Sequence, residues 1–173
     1  VDRDPPGGGE PISVFESGAI LFYLARKVGK FVPQAPRGTM DVLQWLFWQV
    51  GGLGPMAGQN HHFNIYAPEK VPYAIDRYVN ETARLYGVLN RKLDGKEYVA
   101  GEYSIADMAI YPWIVPHENQ RQNLNDFPHL KSWFERVKAR PAVIRAYESK
   151  ESLYPPAKPM TDEEKAVLFN LKK

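Results

Sequence analysis

The sequence predicts an α+β remnant followed by an all-α bundle: a β-hairpin with one helix at the front, then helix after helix. Three observations carry this. A β-like run, Ile12-Ser13-Val14-Phe15, stops at Glu16-Ser17, and a helical pattern starts at once. The stretch from Lys30 to Gly38 carries Pro33 and Pro36 and reads as a linker. From Thr39 onward, apolar residues recur almost wholly at helical spacing. The expected organisation is therefore 1–31 as the corner of a first domain, 32–38 as linker, 39–149 as an all-helical domain, and 150–173 as an extended tail with a short terminal helix.

Val1 to Pro11 (VDRDPPGGGEP) has the composition of a turn, so Val1-Asp2 and Ile12 to Phe15 are read as two strands of a hairpin. A hairpin on one helix is not a stable sheet, so partner strands are expected outside the sequence. Behind Ser17, the residues Ile20, Leu21, Leu24, Ala25 and Val28 share a helical face. Arg26 and Lys27 lie in the last turn and Gly29 at the C-terminal stop. Ser17 has the chemistry of an N-cap. A helix N-terminus also suits a carboxylate, and the neighbouring Glu16 suits an ammonium, so the pair matches both ends of an amino-acid head group. On the residues alone, a plain capped corner and a ligand site both stand.

In the helical part, Leu43, Leu46, Phe47 and Val50 share one face and Trp45 and Trp48 the other. That helix is expected to be buried on two sides, as at a contact with a second subunit. Gly51-Gly52-Leu53-Gly54-Pro55 reads as a break or kink, because it lacks the Lys-Ser/Thr ending of a phosphate loop. Gln59-Asn60-His61-His62-Phe63-Asn64 reads as a loop lining a cleft. Its adjacent histidines lack the spacing that puts two ligands on one helical face, and no metal site is expected. Pro72 opens a long helix with Ile75, Tyr78, Val79, Thr82, Leu85, Leu89 and Leu93 as its buried stripe. Arg77 lies off that stripe, as a solvated or ion-paired residue or a carboxylate clamp.

Ser104-Ile105-Ala106-Asp107 is an aspartate form of the capping box, a folding signal rather than a catalytic one. Leu130, Trp133, Phe134 and Val137 mark a further amphipathic helix, broken at Arg140-Pro141, with a short helix after it reaching about Glu148. Residues 154–159 read as extended linker. Thr161 to Glu164 caps a last helix that includes Val167, Leu168 and Phe169.

Composition narrows the function. The 173 residues are 44% hydrophobic and 24% charged, enough for a folded core. A net charge of +2 without basic blocks disfavours nucleic acid and acidic membrane surfaces. The apolar run from Gly18 to Ala25 is too short to span a bilayer. With no cysteine, the chain has no disulfide, thiolate metal site or catalytic thiol of its own. No secretory signal is seen, so a cytoplasmic protein is expected and the sequon Asn80-Glu81-Thr82 carries no weight.

The Glu-Ser turn, the proline-bearing linker, the helical domain and the Ser-Ile-Ala-Asp box together resemble the cytosolic glutathione transferase superfamily. Glu16-Ser17-Gly18-Ala19-Ile20, Gln44 to Gln49, Gly54-Pro55-Met56 through Phe63, and Tyr73 to Tyr78 are similar to its bacterial nu class. Those proteins are glutathione-dependent disulfide-bond oxidoreductases related to the globular part of the yeast nitrogen regulator Ure2. The resemblance implies the end of a thioredoxin-like domain at 1–31 and a glutathione-transferase C-terminal helical bundle after it. It also implies glutathione as co-substrate, a small disulfide or electrophile as second substrate, and a homodimer. Glu16 would bind the α-amino group and Ser17 the carboxylate of the γ-glutamyl moiety, with Arg77 a further carboxylate contact. The family's sulfur-side threonine and asparagine precede the hairpin, so the sequence is expected to be part of a longer protein. The implied activity is disulfide reduction with transferase or peroxidase side activity. A non-catalytic glutathione-binding or regulatory module and an inactive fragment remain as alternatives.

Overall fold

The computed structural model describes residues 1–153 and 160–168. Among them no β-strand forms, and the architecture is essentially all-α. The expected hairpin remnant of a thioredoxin-like domain is absent. Asp2 and Ile12 do face each other, exchanging N–H···O bonds of 2.9 and 3.0 Å, but the pair stays an isolated bridge. The cause is local: Pro5, Pro6 and Pro11 have no N–H to extend a ladder, and Gly7, Gly8 and Gly9 all take positive φ. Side chains hold the segment instead. The Asp2 carboxylate accepts from Lys27 Nζ at 2.6 Å, the Tyr23 hydroxyl at 2.8 Å and the Asp4 N–H at 3.0 Å. The Lys27 bond, then the other two, bring its pKa down to about 2.

The helices are α1 (Ser17–Val28), α2 (Pro36–Trp48), α3 (Gly54–His61), α4 (Pro72–Lys92), α5 (Ile105–Ile114), α6 (Pro128–Lys138), α7 (Pro141–Leu153) and α8 (Asp162–Leu168). They fall into two compact units, Val1–Val137 and Lys138–Lys173. In the second, α7 runs to Leu153, past the expected Glu148. The start of α8 is capped as expected: the Thr161 N–H donates to Glu164 at 2.8 Å and the Glu164 N–H to the Thr161 hydroxyl at 3.2 Å. The linker reading of 154–159 and the place of Phe169 lie outside the described residues.

The first unit is built on one continuous helical rod from Pro36 to Tyr66. The break or kink expected at the glycine-proline segment takes the form of a π turn between α2 and α3. Residues Gln49–Leu53 form a π-helical turn, with the Gly54 N–H reaching back to the Gln49 carbonyl. The wider turn makes room just before Pro55, whose ring and missing N–H would disrupt a regular helix at that point. The expected loop at Gln59 to Asn64 is helical as well: α3 runs to His61 and a second π turn covers His62–Tyr66.

Beneath α1, α2 and α5 lies a core of Ala25, Val32, Val42, Leu46, Ile105 and Ala106. On α4, Thr82, Leu85 and Leu89 are buried as expected, and so is Tyr86. On α6 all of Leu130, Trp133, Phe134 and Val137 are buried. One core assignment is reversed: Phe47 is 68% exposed, while Trp45 and Trp48 pack on each other at 5.2 Å. Helical spacing marks which residues share a face, but neighbouring elements decide which part of a nearly all-apolar helix is covered.

The capping box is complete. The Ser104 hydroxyl accepts from the Ala106 N–H at 3.3 Å, and the Asp107 carboxylate accepts from the Ser104 N–H at 3.0 Å. Asp107 does more than close the box. It is fully buried and also accepts from the Val99 N–H at 3.1 Å and Trp133 Nε1–H at 2.8 Å, tying α5 to α6.

Candidate functional site

Glu16 and Ser17 sit where α1 begins, but not in the expected roles. Ser17 is the first helical residue, and Glu16 occupies the cap position with φ 67° and ψ 122°. Its carbonyl accepts the first helical bond, from the Ile20 N–H at 2.9 Å. No side-chain hydrogen bond from that position caps the helix. The first-turn N–H groups, with the positive end of the helix dipole, are therefore offered to an acceptor from outside the helix. A positive φ at a residue other than glycine costs of order 1–3 kcal/mol and recurs at ligand clamps. Both side chains are exposed.

The corner is pinned from below. A Cβ on Gly18 would lie 3.2 Å from Val50 Cγ2 and 3.8 Å from Leu46 Cδ1, so α1 starts in close contact with the rod at its first π turn. Glu16 and Ser17 thus project from a junction packed on the Val50 and Leu46 side chains.

Arg77 lies elsewhere. It lines an open groove of about 390 Å³ on α4 with Tyr73, Asp76, Asn80, Glu81 and Arg84. Arg84 grips the Glu81 carboxylate with bonds of 2.8 Å from Nε and 2.7 Å from Nη2, which lowers the Glu81 pKa. Arg77 acts on Glu81 only at a distance. Helix α4 runs antiparallel to the rod: the Lys92 ammonium lies 5.2 Å from the Trp45 ring centre, while Tyr78 stacks on Phe63 at 5.5 Å. Gly18 packs on Leu46 and Val50 of the rod. The structure places Glu16 and Ser17 side by side at the start of α1 and Arg77 on a different element, α4.

Sequence reasoning passed over a buried polar cluster between the rod, α4 and the segment after α5. Asn60 Nδ2 donates to Thr82 Oγ1 at 3.0 Å and to the Gln120 carbonyl at 3.1 Å. The Tyr86 hydroxyl donates to Gln120 Oε1 at 2.6 Å, and burial pushes its pKa far up. Gln122 Nε2 donates to the Val79 carbonyl at 3.1 Å. These bonds join residues up to sixty positions apart, so no local spacing announces them. His61 is half-buried, its Nε2 is without a hydrogen-bond partner among the described residues, and burial lowers its pKa. Among the described residues, no group of three or more His, Cys, Asp or Glu is placed to hold a metal ion. No described helix is long and apolar enough to cross a membrane.

Comparison with known proteins identifies the fold. Residues 55–141 match the model of the glutathione S-transferase C-terminal domain. The chain is 56% identical over 147 residues to the disulfide-bond oxidoreductase YfcG of Escherichia coli strain K12, across 84% of this chain and 68% of that protein. A glutathione transferase from Burkholderia graminis, solved with two glutathione molecules per subunit, is 39% identical with a TM-score of 0.77, over 88% of this chain and 66% of that one. Ure2p in complex with glutathione is 30% identical with a TM-score of 0.72, over 77% and 68%. The chain spans about two thirds of the length of these relatives. The chain belongs to the glutathione S-transferase family and, within it, to the branch that holds YfcG and Ure2p.

Proposed function

We propose that the protein binds glutathione and, in its full-length form, uses it to reduce disulfide bonds. The observation that carries the site is the uncapped start of α1, with Glu16 held at positive φ beside Ser17. In this reading Glu16 takes the α-amino group of the γ-glutamyl moiety. Ser17 takes its carboxylate through the hydroxyl and the helix-terminal N–H, a charge-assisted pairing at the positive end of the helix.

These 173 residues contain no cysteine, and two glutathiones can supply both reducing sulfurs. A glutathione thiolate attacks one sulfur of the substrate disulfide, forming a mixed disulfide and releasing a thiolate. A second glutathione resolves it, giving oxidised glutathione and the second reduced sulfur. A thiol with an ordinary pKa near 8.5 is only a few per cent thiolate at neutral pH, so a site that favours the thiolate accelerates the first step. The reaction belongs in a reducing, glutathione-containing compartment, the cytoplasm, with a small disulfide or electrophile as the other substrate.

Arg77 lines an open groove on α4, and its proposed partner is a further glutathione carboxylate. Ser17→Ala in the full-length protein is expected to weaken glutathione binding by about 1–3 kcal/mol, as for a lost bond to a charged group. Arg77→Gln is expected to leave that Ser17-dependent affinity in place. Isothermal titration with glutathione checks both, and an unchanged affinity in Ser17→Ala removes the residue from the site. A full-length protein that does not accelerate reduction of a small disulfide by glutathione loses the enzyme reading and leaves a binding module.

The chain also has a face suited to a second copy. On α2, Met40 and Phe47 are exposed, at 53% and 68%. A homodimer formed on this face buries both, and Phe47→Asp is expected to turn the dimer into monomer at micromolar concentration. Analytical ultracentrifugation reads the result; a variant of unchanged mass rules the face out.

A further inference from the structure

We propose that Asp94-Gly95 is a site of spontaneous backbone modification, at which aspartate converts to isoaspartate. It is the only Asp-Gly pair in the sequence, and no Asn-Gly pair occurs. The pair forms the turn that ends α4, where the chain leaves the helix at Leu93. The Asp94 side chain is 74% exposed, and its ion-pair partner among the described residues is His129, at a long 3.7 Å. Gly95 has φ 66°, and a Cβ placed on it would meet nothing within 4 Å. The backbone nitrogen of Gly95 is therefore next to an exposed carboxyl group, without a side chain to shield it and in a turn open to water.

The chemistry balances within the chain and water. The Gly95 nitrogen attacks Asp94 Cγ; the N–Cγ bond forms, the bond from Cγ to its hydroxyl breaks, and the amide proton leaves with that hydroxyl as water. The five-membered imide then takes up one water. Opening at the Cγ carbonyl restores aspartate. Opening at the main-chain carbonyl leaves the backbone running through the side-chain carbon, which is isoaspartate. No oxidant or cofactor enters.

The position gives the change a consequence. The product lengthens the main chain by one methylene between two anchored points. Before the turn, Leu93 is buried and its carbonyl accepts from the Lys96 N–H at 3.0 Å. After it, Val99 is fully buried and donates to the Asp107 carboxylate. A shifted turn pulls on the buried network that joins α5 to α6.

The test is to hold the whole chain at neutral pH and physiological temperature in ¹⁸O-labelled water, then digest it with trypsin in ordinary water. The tryptic peptide Leu93–Lys96 is expected to accumulate a species carrying one labelled oxygen, which electron-transfer fragmentation identifies as isoaspartate and an isoaspartyl methyltransferase methylates. Asp94→Asn is expected to give the same product faster, with release of ammonia, because the carbon of a neutral amide is more open to attack than that of a carboxylate. Asp94→Glu, whose longer side chain closes a larger ring, is expected to suppress the signal. A Leu93–Lys96 peptide that gains no label in the wild-type chain, while other aspartyl peptides gain it, overturns the proposal. So does an Asp94→Asn chain that stays intact, since the turn then forbids the ring.

Discussion

Asp107→Asn is expected to lower the unfolding free energy by about 2–4 kcal/mol, because it leaves buried donors without acceptors. In the native protein one carboxylate oxygen accepts from the Val99 N–H and Trp133 Nε1–H, and the other from the Ser104 N–H and hydroxyl. An asparagine has one oxygen to offer, and its NH₂ group must face donors. The serine hydroxyl can turn to accept, but the backbone N–H cannot. The variant is also expected to lose a pH dependence. Burial raises the Asp107 pKa above the ordinary 3.8, and the four hydrogen bonds only partly oppose it. The folded state therefore holds a proton that the unfolded state has released. Stability contributed by this group falls as pH rises from the ordinary aspartate value through the raised one, and is level above it. Urea melts of both chains across the acidic to neutral range isolate the group: the difference between them should carry this slope. A flat difference would mean that Asp107 titrates alike in both states.

Gly54→Ala is expected to destabilise by about 1–3 kcal/mol through overpacking. For a chain of this length that is roughly 2–12 °C in Tm. A Cβ at this place would lie 2.8 Å from Gln49 Nε2, 3.2 Å from Trp113 Cε2 and 3.3 Å from the Gln49 carbonyl oxygen. The last is backbone within the π turn and cannot swing aside. Gly51→Ala supplies the contrast. A Cβ there meets nothing within 4 Å, so the change should be neutral or stabilising by up to about 1 kcal/mol, from the lower backbone entropy of alanine. Calorimetric melts of the two variants should thus shift in opposite directions, or one not at all. Equal losses at both positions would show that the turn responds to any added side chain rather than to Trp113 and Gln49.

The same two places measure what could be read in advance. The Ser104–Asp107 box was legible, because a capping box is written in four consecutive residues and formed by them. The burial of Leu130, Trp133, Phe134 and Val137 was legible from spacing, since α6 has one apolar face and a polar remainder. At Gly51 to Pro55 the glycines and the proline announced an irregularity, a break or kink, but not that it would be a π turn. Gly54 there lies close to Trp113, almost sixty residues on. Phe47 failed for a related reason: on a helix apolar nearly all round, periodicity marks no unique inner face. The hairpin failed because alternation in Ile12 to Phe15 was not matched by donors across the turn.

At the candidate site the division is equally clear. The residue chemistry of Glu16 and Ser17, an acid beside a hydroxyl at the start of a helix, is a property of the sequence. So are the absence of a thiol among these residues and the almost wholly helical patterning after Thr39. Only the tertiary structure decided that Glu16 rather than Ser17 holds the cap position, that its φ is positive, and that Gly18 is wedged against Val50. It also decided that Arg77 lines an open groove on α4. The physical reason is range. Caps, turns and helical faces are fixed by bonds within a few residues, whereas a close backbone approach, a covered face or a distance between two side chains depends on how separate helices pack.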